Sequence, residues 1–289
     1  MTTTLRRAAG PAIGVVLLGL LAGCGGGFSS APPKPADDSI KTYVALGDGF
    51  TAAPYAGKTV GDDGCLRSDA NYPALLAKEL KIGKVKDVSC TGATTAAVTS
   101  EDKPPDTKDA VKPQIDAVTS DDDLITLGLG IEDRDLLHDM FDICTAVPCG
   151  DKASPQTILS DVSSMSDTLT SAVRAIQDRA PNAYIVLVGY PTITPESGDC
   201  DALPKLDQVG LDSANLVLES INHAIRDAAR ATGAAFLDVA AISAGHELCS
   251  GTPWVEGKKT EKGQAVAYHP KAPEQRAVAD GLAALVKTR

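Results

Sequence analysis

The sequence is short of basic residues. It has 27 Lys and Arg against 38 Asp and Glu, which gives a net charge of −11. Proteins that bind nucleic acid need a basic face against the phosphates, so this balance argues against a nucleic-acid partner. It also argues against adhesion of the folded surface to anionic lipid. Solubility alone accounts for such a charge.

The N-terminus lacks an apolar run long enough to span a bilayer comfortably. The apolar stretch from Pro11 to Leu21 follows Arg6 and Arg7, and a short apolar segment after positive residues is typical of an export signal. It ends in Leu21-Ala22-Gly23-Cys24, which resembles a bacterial lipobox. The resemblance implies cleavage before Cys24 and attachment of lipid to its sulfur. The alternative is an ordinary signal peptide with a chance cysteine.

These features divide the chain into three parts. Residues 1–23 are predicted to be a lipoprotein signal peptide. Residues 24–40, rich in Gly, Ser, Pro and Asp, are predicted to be a flexible tether. Residues 41–289 form the exported domain, in which neither a repeat nor a second linker is visible. A lipid on Cys24 would hold this domain on the outer face of the cytoplasmic membrane or in the periplasm.

The sequence contains no Cys-x-x-Cys spacing, which makes a zinc site a weak alternative for its cysteines. Six cysteines remain in the domain, and an even number in an exported protein predicts three disulfides. Six cysteines allow fifteen pairings, so the residues alone do not choose. Pairing between neighbours is the simplest choice: Cys65 with Cys90, Cys144 with Cys149, and Cys200 with Cys249.

Short apolar segments alternate with amphipathic helical segments along the domain. Continuous runs of Val, Ile and Leu are typical of strands buried on both faces. This alternation predicts a three-layer α/β/α fold with a central, mainly parallel five-stranded sheet. The predicted strands are Tyr43–Leu46, Val85–Val88, Leu124–Leu129, Tyr184–Val188 and Ala235–Val239, and the predicted helices are Tyr72–Leu80, Ile158–Arg179, Ser213–Ala231 and Pro273–Lys287.

Sites in parallel sheets form at the carboxyl ends of the strands. Chemistry-bearing residues and glycines follow three of the predicted strands in this chain. They are Asp48, Gly49, Gly92, Gly130 and Glu132.

Four segments, in order, resemble the sequence blocks of the SGNH hydrolases, also called GDSL esterases/lipases. They are Gly47-Asp48-Gly49, Asp87-Val88-Ser89-Cys90-Thr91-Gly92-Ala93, Leu127-Gly128-Leu129-Gly130-Ile131-Glu132-Asp133 and Val266-Ala267-Tyr268-His269-Pro270. The cysteine spacing is similar to that of the secreted actinobacterial branch, which implies the neighbour pairing of disulfides. The resemblance covers nearly the whole domain and implies a flavodoxin-like SGNH-hydrolase fold.

The resemblance assigns a catalytic role to five positions. His269 matches the general base, and Gly92 matches the glycine of the oxyanion hole. Gly49 stands where the family has its nucleophilic serine, Glu132 where it has an oxyanion-hole asparagine, and Val266 where it has the aspartate that orients the histidine. Loss of a triad nucleophile alone costs on the order of 10⁶ in turnover. The catalytic residues are therefore degenerate.

Alternatives for chemistry at this site remain open. Thr51 could supply a hydroxyl from two residues beyond the lost serine. Asp48, Glu132, Asp133 and His269 could bind a divalent cation or activate a water molecule. A salt bridge between Glu132 and protonated His269, which would raise the pKa of His269, is favoured over both. No cofactor and no metal are predicted.

The sequence favours a cell-envelope lipoprotein whose domain is a non-catalytic binder of an acylated or carbohydrate ligand or of a partner protein. Asp48 and Trp254 are the predicted ligand contacts, since an aromatic ring can stack on a sugar or cover an acyl chain. One alternative is a carboxylic-ester hydrolase with a rearranged active site. A second is a structural envelope scaffold.

Overall fold

Five short strands form the central sheet of the domain. The structure, a computed structural model, describes residues 39–142 and 154–289. The predicted signal peptide, the lipidation site Cys24 and the Cys144–Cys149 pair lie outside these ranges. The strands are β1 (Thr42–Gly47), β2 (Lys84–Asp87), β3 (Leu124–Gly128), β4 (Tyr184–Val188) and β5 (Ala235–Leu237).

The sheet is entirely parallel, with the strand order β2-β1-β3-β4-β5. Strand β1 and strand β3 lie at its centre, and their side chains are almost wholly buried. The expectation that every strand is buried on both faces is wrong for β2, in which Lys84 and Val85 are exposed. This strand lies at an edge, where lysine side chains protect the unpaired backbone.

Helices cover both faces of the sheet, which confirms the predicted three-layer α/β/α architecture. Helices α2 and α8 pack against each other over one face, and α4, α5 and α6 pack together over the other. The helices are α1 (Gly49–Ala52), α2 (Tyr72–Leu80), α3 (Leu136–Phe141), α4 (Pro155–Ser163), α5 (Met165–Arg179), α6 (Gln208–Thr232), α7 (Val239–Ile242) and α8 (Ala272–Lys287).

The helix predicted over Ile158–Arg179 is two helices that meet at Ser164. The hydroxyls of Ser163 and Ser164 donate to backbone carbonyls three residues earlier, at 2.6 and 3.0 Å. Such local bonds compete with helical hydrogen bonding and explain the break. Helix α6 begins earlier than predicted because Asp207 caps it, accepting from the Gly210 amide at 2.8 Å.

Within the described residues, two disulfides join neighbouring cysteines, as the sequence predicts: Cys65–Cys90 and Cys200–Cys249. The first ties the segment before α2 to the loop after β2. Its position holds that loop against β1, where the Cys90 amide donates to the Gly47 carbonyl at 3.0 Å.

Candidate functional site

The candidate site lies where three strands end beside the loop that precedes α8. Asp48 and Gly49 follow β1, Glu132 lies in the loop after β3, and Tyr190 follows β4. His269 lies three residues before α8 and is 5% exposed. The carboxyl ends of the parallel strands thus bring together residues that are far apart in sequence.

Asp48 is the N-cap of α1. One carboxylate oxygen accepts from the Phe50 amide at 2.8 Å, and the other accepts from the Tyr190 hydroxyl at 2.6 Å. Burial raises the pKa of this carboxyl well above its ordinary value, and the nearby Glu132 carboxylate raises it further. Because Asp48 is buried and both its oxygens are bonded, it supports the turn rather than presenting the predicted ligand contact.

The missing side chain at Gly49 leaves a space that His269 occupies. A Cβ added to Gly49 would lie 2.4 Å from His269 Nε2 and 2.7 Å from His269 Cδ2. Both distances are too short for real contacts, so the imidazole lies against the Gly49 backbone. A side chain at this position would require His269 to withdraw.

His269 is oriented without a carboxylate. Its Nδ1–H donates to the Ala267 carbonyl at 2.9 Å, since a carbonyl oxygen can only accept. That carbonyl replaces the aspartate expected at Val266, and it leaves the lone pair of the neutral ring on Nε2. The ring stacks on Phe50, with centroids 5.1 Å apart.

His269 Nε2 is buried and has no hydrogen-bond partner among the described residues. Its nearest charged neighbour is Glu132, whose Oε1 lies 3.7 Å away. This separation is too long for a direct hydrogen bond. An unpartnered buried acceptor beside a carboxyl group is costly for folding alone and therefore points to chemistry.

Glu132 is a carboxyl group held in an unfavourable place for a negative charge. Burial raises its pKa to about 7, with added contributions from the carboxylates of Asp135 and Asp133. Asp133 itself accepts from the amide and hydroxyl of Thr95, both at 2.7 Å, and so anchors the loop.

The predicted pair of His269 and Glu132 is present, but its expected effect on His269 is wrong. Burial lowers the pKa of His269 below its ordinary value instead of raising it, and the bond to the Ala267 carbonyl opposes this only in part. Between the lowered pKa of His269 and the Glu132 pKa of about 7, the imidazole is neutral and Glu132 is protonated, so the pair carries no net charge.

Gly92 directly follows Thr91, whose side chain borders this space. Its φ of +81° and the 2.7 Å approach of Pro105 to its absent Cβ both require glycine. The neighbouring Thr91 side chain lies 3.4 Å from where the Gly49 Cβ would be. The amides of Gly49 and Gly92 make no hydrogen bond to another residue in the part of the chain that the structure describes.

Tyr190 is the residue of this site that sequence reasoning missed. It is 1% exposed, and its hydroxyl donates to Asp48 and accepts from the Ile131 amide at 3.1 Å. The available signal was its position: it follows Gly189 directly after the predicted strand Tyr184–Val188, at the sheet edge where sites form.

Two further predicted residues have other roles. The Thr51 hydroxyl is buried and bonds to the Tyr72 hydroxyl at 3.1 Å and the Gly128 carbonyl at 3.3 Å, not to His269. Trp254 stacks on His246, with ring centroids 3.9 Å apart. The rewired Thr51 nucleophile thus has no geometric support.

Three further features of the described residues bear on the predictions: metal ligands, membrane-spanning helices and surface grooves. Among residues 39–142 and 154–289, no group of three or more His, Cys, Asp or Glu is placed to hold a metal ion. None of the helices described in those ranges is long and apolar enough to cross a membrane. A polar groove of about 1190 Å³ lies elsewhere, between α6 and the loops after β4 and β5.

Comparison with known proteins gives matches along most of the chain. The family described as GDSL-like lipase/acylhydrolase matches residues 45–277. Lipase 2 of Streptomyces coelicolor is 33% identical over 93% of this chain and 92% of its own length.

Two solved structures share the fold with a TM-score of 0.69 each. Phospholipase A1 of Streptomyces albidoflavus is 26% identical over 86% of this chain and 99% of its own. The extracellular lipase of Streptomyces rimosus is 28% identical over 84% of this chain and 99% of its own.

These relatives contradict the prediction of a non-catalytic binder, because all three are named as lipases or phospholipases. They support instead the alternative prediction of a carboxylic-ester hydrolase with a rearranged active site. The four resembling segments and the fold agree with the matches, and the chain belongs to the GDSL-like lipase/acylhydrolase family.

Proposed function

We propose that the domain hydrolyses carboxylic esters with a water molecule, rather than a serine, as the nucleophile. The observation that carries this proposal is the buried Nε2 lone pair of His269, without a hydrogen-bond partner and 3.7 Å from the Glu132 carboxyl group. A neutral imidazole beside a protonated carboxylic acid is an acid–base pair suited to acyl transfer.

His269 is the general base. Its Nδ1–H is held by the Ala267 carbonyl, so Nε2 is the atom that accepts a proton. Burial lowers its pKa, which keeps the ring neutral near pH 7. In the first step the water oxygen bonds to the ester carbon, its proton moves to Nε2, and the carbonyl π electrons move to the carbonyl oxygen.

Glu132 is the donor to the developing oxyanion. As an anion it would oppose that charge, but with a pKa of about 7 it is largely protonated in mildly acidic solution. A carboxylic acid kept neutral by its surroundings can donate a hydrogen bond to an oxyanion. The amides of Gly49 and Gly92 offer further donors beside it.

The intermediate then collapses. The electron pair on the oxyanion re-forms the carbonyl, the bond to the alcohol oxygen breaks, and that oxygen takes the proton from His269. The products are a carboxylic acid and an alcohol. Without a serine nucleophile, we expect an acceleration of roughly 10³ to 10⁴ over the uncatalysed reaction. This is the acceleration that remains in serine hydrolases when triad members are removed.

The proposal extends to the location of the protein and to its ligand. We place the protein outside the cytoplasm, anchored to the membrane by lipid on Cys24, with an acyl ester as its ligand and no nucleic-acid partner. Support comes from the N-terminal residues and from the extracellular relative in Streptomyces rimosus. Release of the protein into the medium by Cys24→Ala, with loss of incorporated radiolabelled palmitate, tests the anchor.

Hydrolysis of p-nitrophenyl acetate and p-nitrophenyl butyrate by the purified domain tests the activity. His269→Ala is expected to abolish turnover, whereas His223→Ala, at an exposed position of α6, should leave it unchanged. A fluorophosphonate probe should not label the wild-type protein, because no side chain of the described residues hydrogen-bonds to His269 Nε2 to be activated as a nucleophile. Absence of turnover, or labelling of Thr51, would refute the water mechanism.

A further inference from the structure

Three loops of the site converge on one buried phenol. The Tyr190 hydroxyl donates to Asp48 Oδ2 at 2.6 Å and accepts from the Ile131 amide at 3.1 Å. Asp48 caps the helix that carries Gly49, and Ile131 directly precedes Glu132. A single hydroxyl therefore fixes the turn after β1 to the loop after β3.

The Tyr190 ring supports the base as well. It packs edge-to-face on Phe50 at 5.0 Å, and Phe50 in turn stacks on the ring of His269 at 5.1 Å. The path from phenol to imidazole thus consists of two aromatic contacts with defined geometry.

Tyr190 is itself held in place by an amide side chain. Asn222 of α6 accepts from the Tyr190 amide at 2.8 Å and donates to the Tyr190 carbonyl at 3.0 Å. Asn222 is 4% exposed. Two bonds to one residue fix its backbone, so the phenol is a rigid support and not a mobile side chain.

We infer that Tyr190 is a positioning residue that holds Glu132 and His269 in register through Asp48, Ile131 and Phe50. This inference rests on the proposed ester hydrolysis for its kinetic consequence. Its structural consequence is independent of turnover, because removal of the hydroxyl frees the loop that carries Glu132.

Tyr190→Phe removes the hydroxyl and keeps the ring. Tyr43→Phe is the matched control, since the Tyr43 hydroxyl is equally buried but bonds to Thr126 inside the sheet at 2.8 Å. Tyr190→Phe loses two buried hydrogen bonds and Tyr43→Phe loses one, so both should lose stability, Tyr190→Phe the more, and kcat is compared where both are folded. Only Tyr190→Phe is expected to lower kcat, by about tenfold, with KM unchanged.

The second readout is the pKa of Glu132, followed by NMR titration of its carboxyl carbon. The titratable groups that face it are Asp133 and Asp135 in its own loop, Asp48 across the turn, and His269 from the loop before α8. In Tyr190→Phe the loosened loop admits water, so the pKa should fall from about 7 toward that of a free glutamate. Tyr43→Phe should leave it unchanged.

Asp48→Asn is a second variant in case Tyr190→Phe folds poorly. The asparagine oxygen can still cap the Phe50 amide, but its NH₂ group cannot accept the proton of the phenol. It is expected to lower kcat as Tyr190→Phe does. If the wild-type protein is inactive but Tyr190→Phe shows the predicted change in the Glu132 pKa, the proposed function is refuted and the positioning role is supported. Equal kcat and equal Glu132 pKa in Tyr190→Phe and Tyr43→Phe would overturn the role itself.

Discussion

The absent Cβ at residue 49 changes the site more than the loss of a hydroxyl would suggest. The imidazole of His269 lies so close to the Gly49 backbone that a Cβ would be 2.4 Å from Nε2. Nε2 therefore lies directly against position 49, with the Glu132 carboxyl oxygen 3.7 Å away. The orienting carboxylate is replaced as well, by the Ala267 carbonyl at 2.9 Å.

The protonation state of Glu132 predicts how the activity depends on pH. Activity requires protonated Glu132 and neutral His269, so wild-type kcat/KM should fall as the pH rises through about 7. Glu132→Gln keeps a neutral donor that cannot ionise. It should retain activity and lose the alkaline decline, as measured by kcat/KM from pH 5 to 9. Superimposable profiles for the two proteins would contradict the role of Glu132.

Position 49 gives a second prediction. In Gly49→Ser the imidazole must withdraw from the position of the new Cβ, which leaves Nε2 beside the introduced hydroxyl. Fluorophosphonate labelling should therefore appear in Gly49→Ser and be absent from Gly49→Ala, which displaces the ring equally without adding a nucleophile. Labelling of neither variant would show that the ring cannot adopt a productive position.

Most elements of the fold could be predicted from the sequence, because apolar runs and helix signals are local. The strand Tyr184–Val188 and the helix Tyr72–Leu80 have the predicted bounds. The break at Ser164 depends on whether the serine hydroxyls bond to solvent or to backbone carbonyls. The exposure of β2 depends on its edge position in the strand order. Neither is visible in a local pattern.

The site was predictable only in part for the same reason. Three of the motif positions lie together in the structure: Gly49, Glu132 and His269. Tyr190 was missed because its role depends on which strand lies beside β3. The Ala267 carbonyl was missed because any residue could supply it. The pKa of Glu132 follows from burial, which no motif encodes.

The two disulfides should contribute similarly to stability but differently to activity. Their loops span 25 and 49 residues, so removal of either by a pair of alanines should cost roughly 3 to 4 kcal/mol of unfolding free energy. Of the two disulfides in the described residues, Cys65–Cys90 is the one that adjoins the site, where the Cys65 carbonyl accepts from the amide and hydroxyl of Thr91. Loss of this bridge should lower kcat well beyond loss of Cys200–Cys249.

Urea unfolding and ester turnover on the two double variants measure these effects under conditions where both are folded. Similar losses of stability with a selective loss of kcat are expected. A kcat that falls equally in both would mean that the Gly92 loop is held by the rest of the fold and not by its cysteine.

Outside the site, the buried carboxyl group of Glu274, in the first turn of α8, should make the stability of the whole molecule depend on pH. It is 3% exposed, and burial raises its pKa to about 8, although the Gln275 amide donates to it at 2.8 Å. Gln275 also donates to the Phe50 carbonyl and accepts from the Tyr72 amide. The protonated acid thus belongs to a network that connects α8, α1 and α2.

The sign of the pH dependence follows from linkage. The unfolded chain releases the Glu274 proton near an ordinary glutamate pKa, whereas the folded chain holds it until about pH 8. The stabilisation is therefore fully present in acid and is lost as the pH rises toward 8. Glu274→Gln keeps the acceptor for Gln275 and removes the ionisation, so its stability relative to wild type should increase across that window, by on the order of a few kcal/mol.

Thermal unfolding from pH 4 to 9 measures this difference, with Glu219→Gln as the control. Glu219 is 66% exposed, so above about pH 8, where Glu274 is also ionised, its substitution changes the net charge by the same amount without relieving a buried carboxylate. General repulsion in a chain of charge −11 would raise the Tm of both variants alike at alkaline pH. A gain confined to Glu274→Gln locates the alkaline instability in the network beneath α1, whereas parallel curves would assign it to net charge.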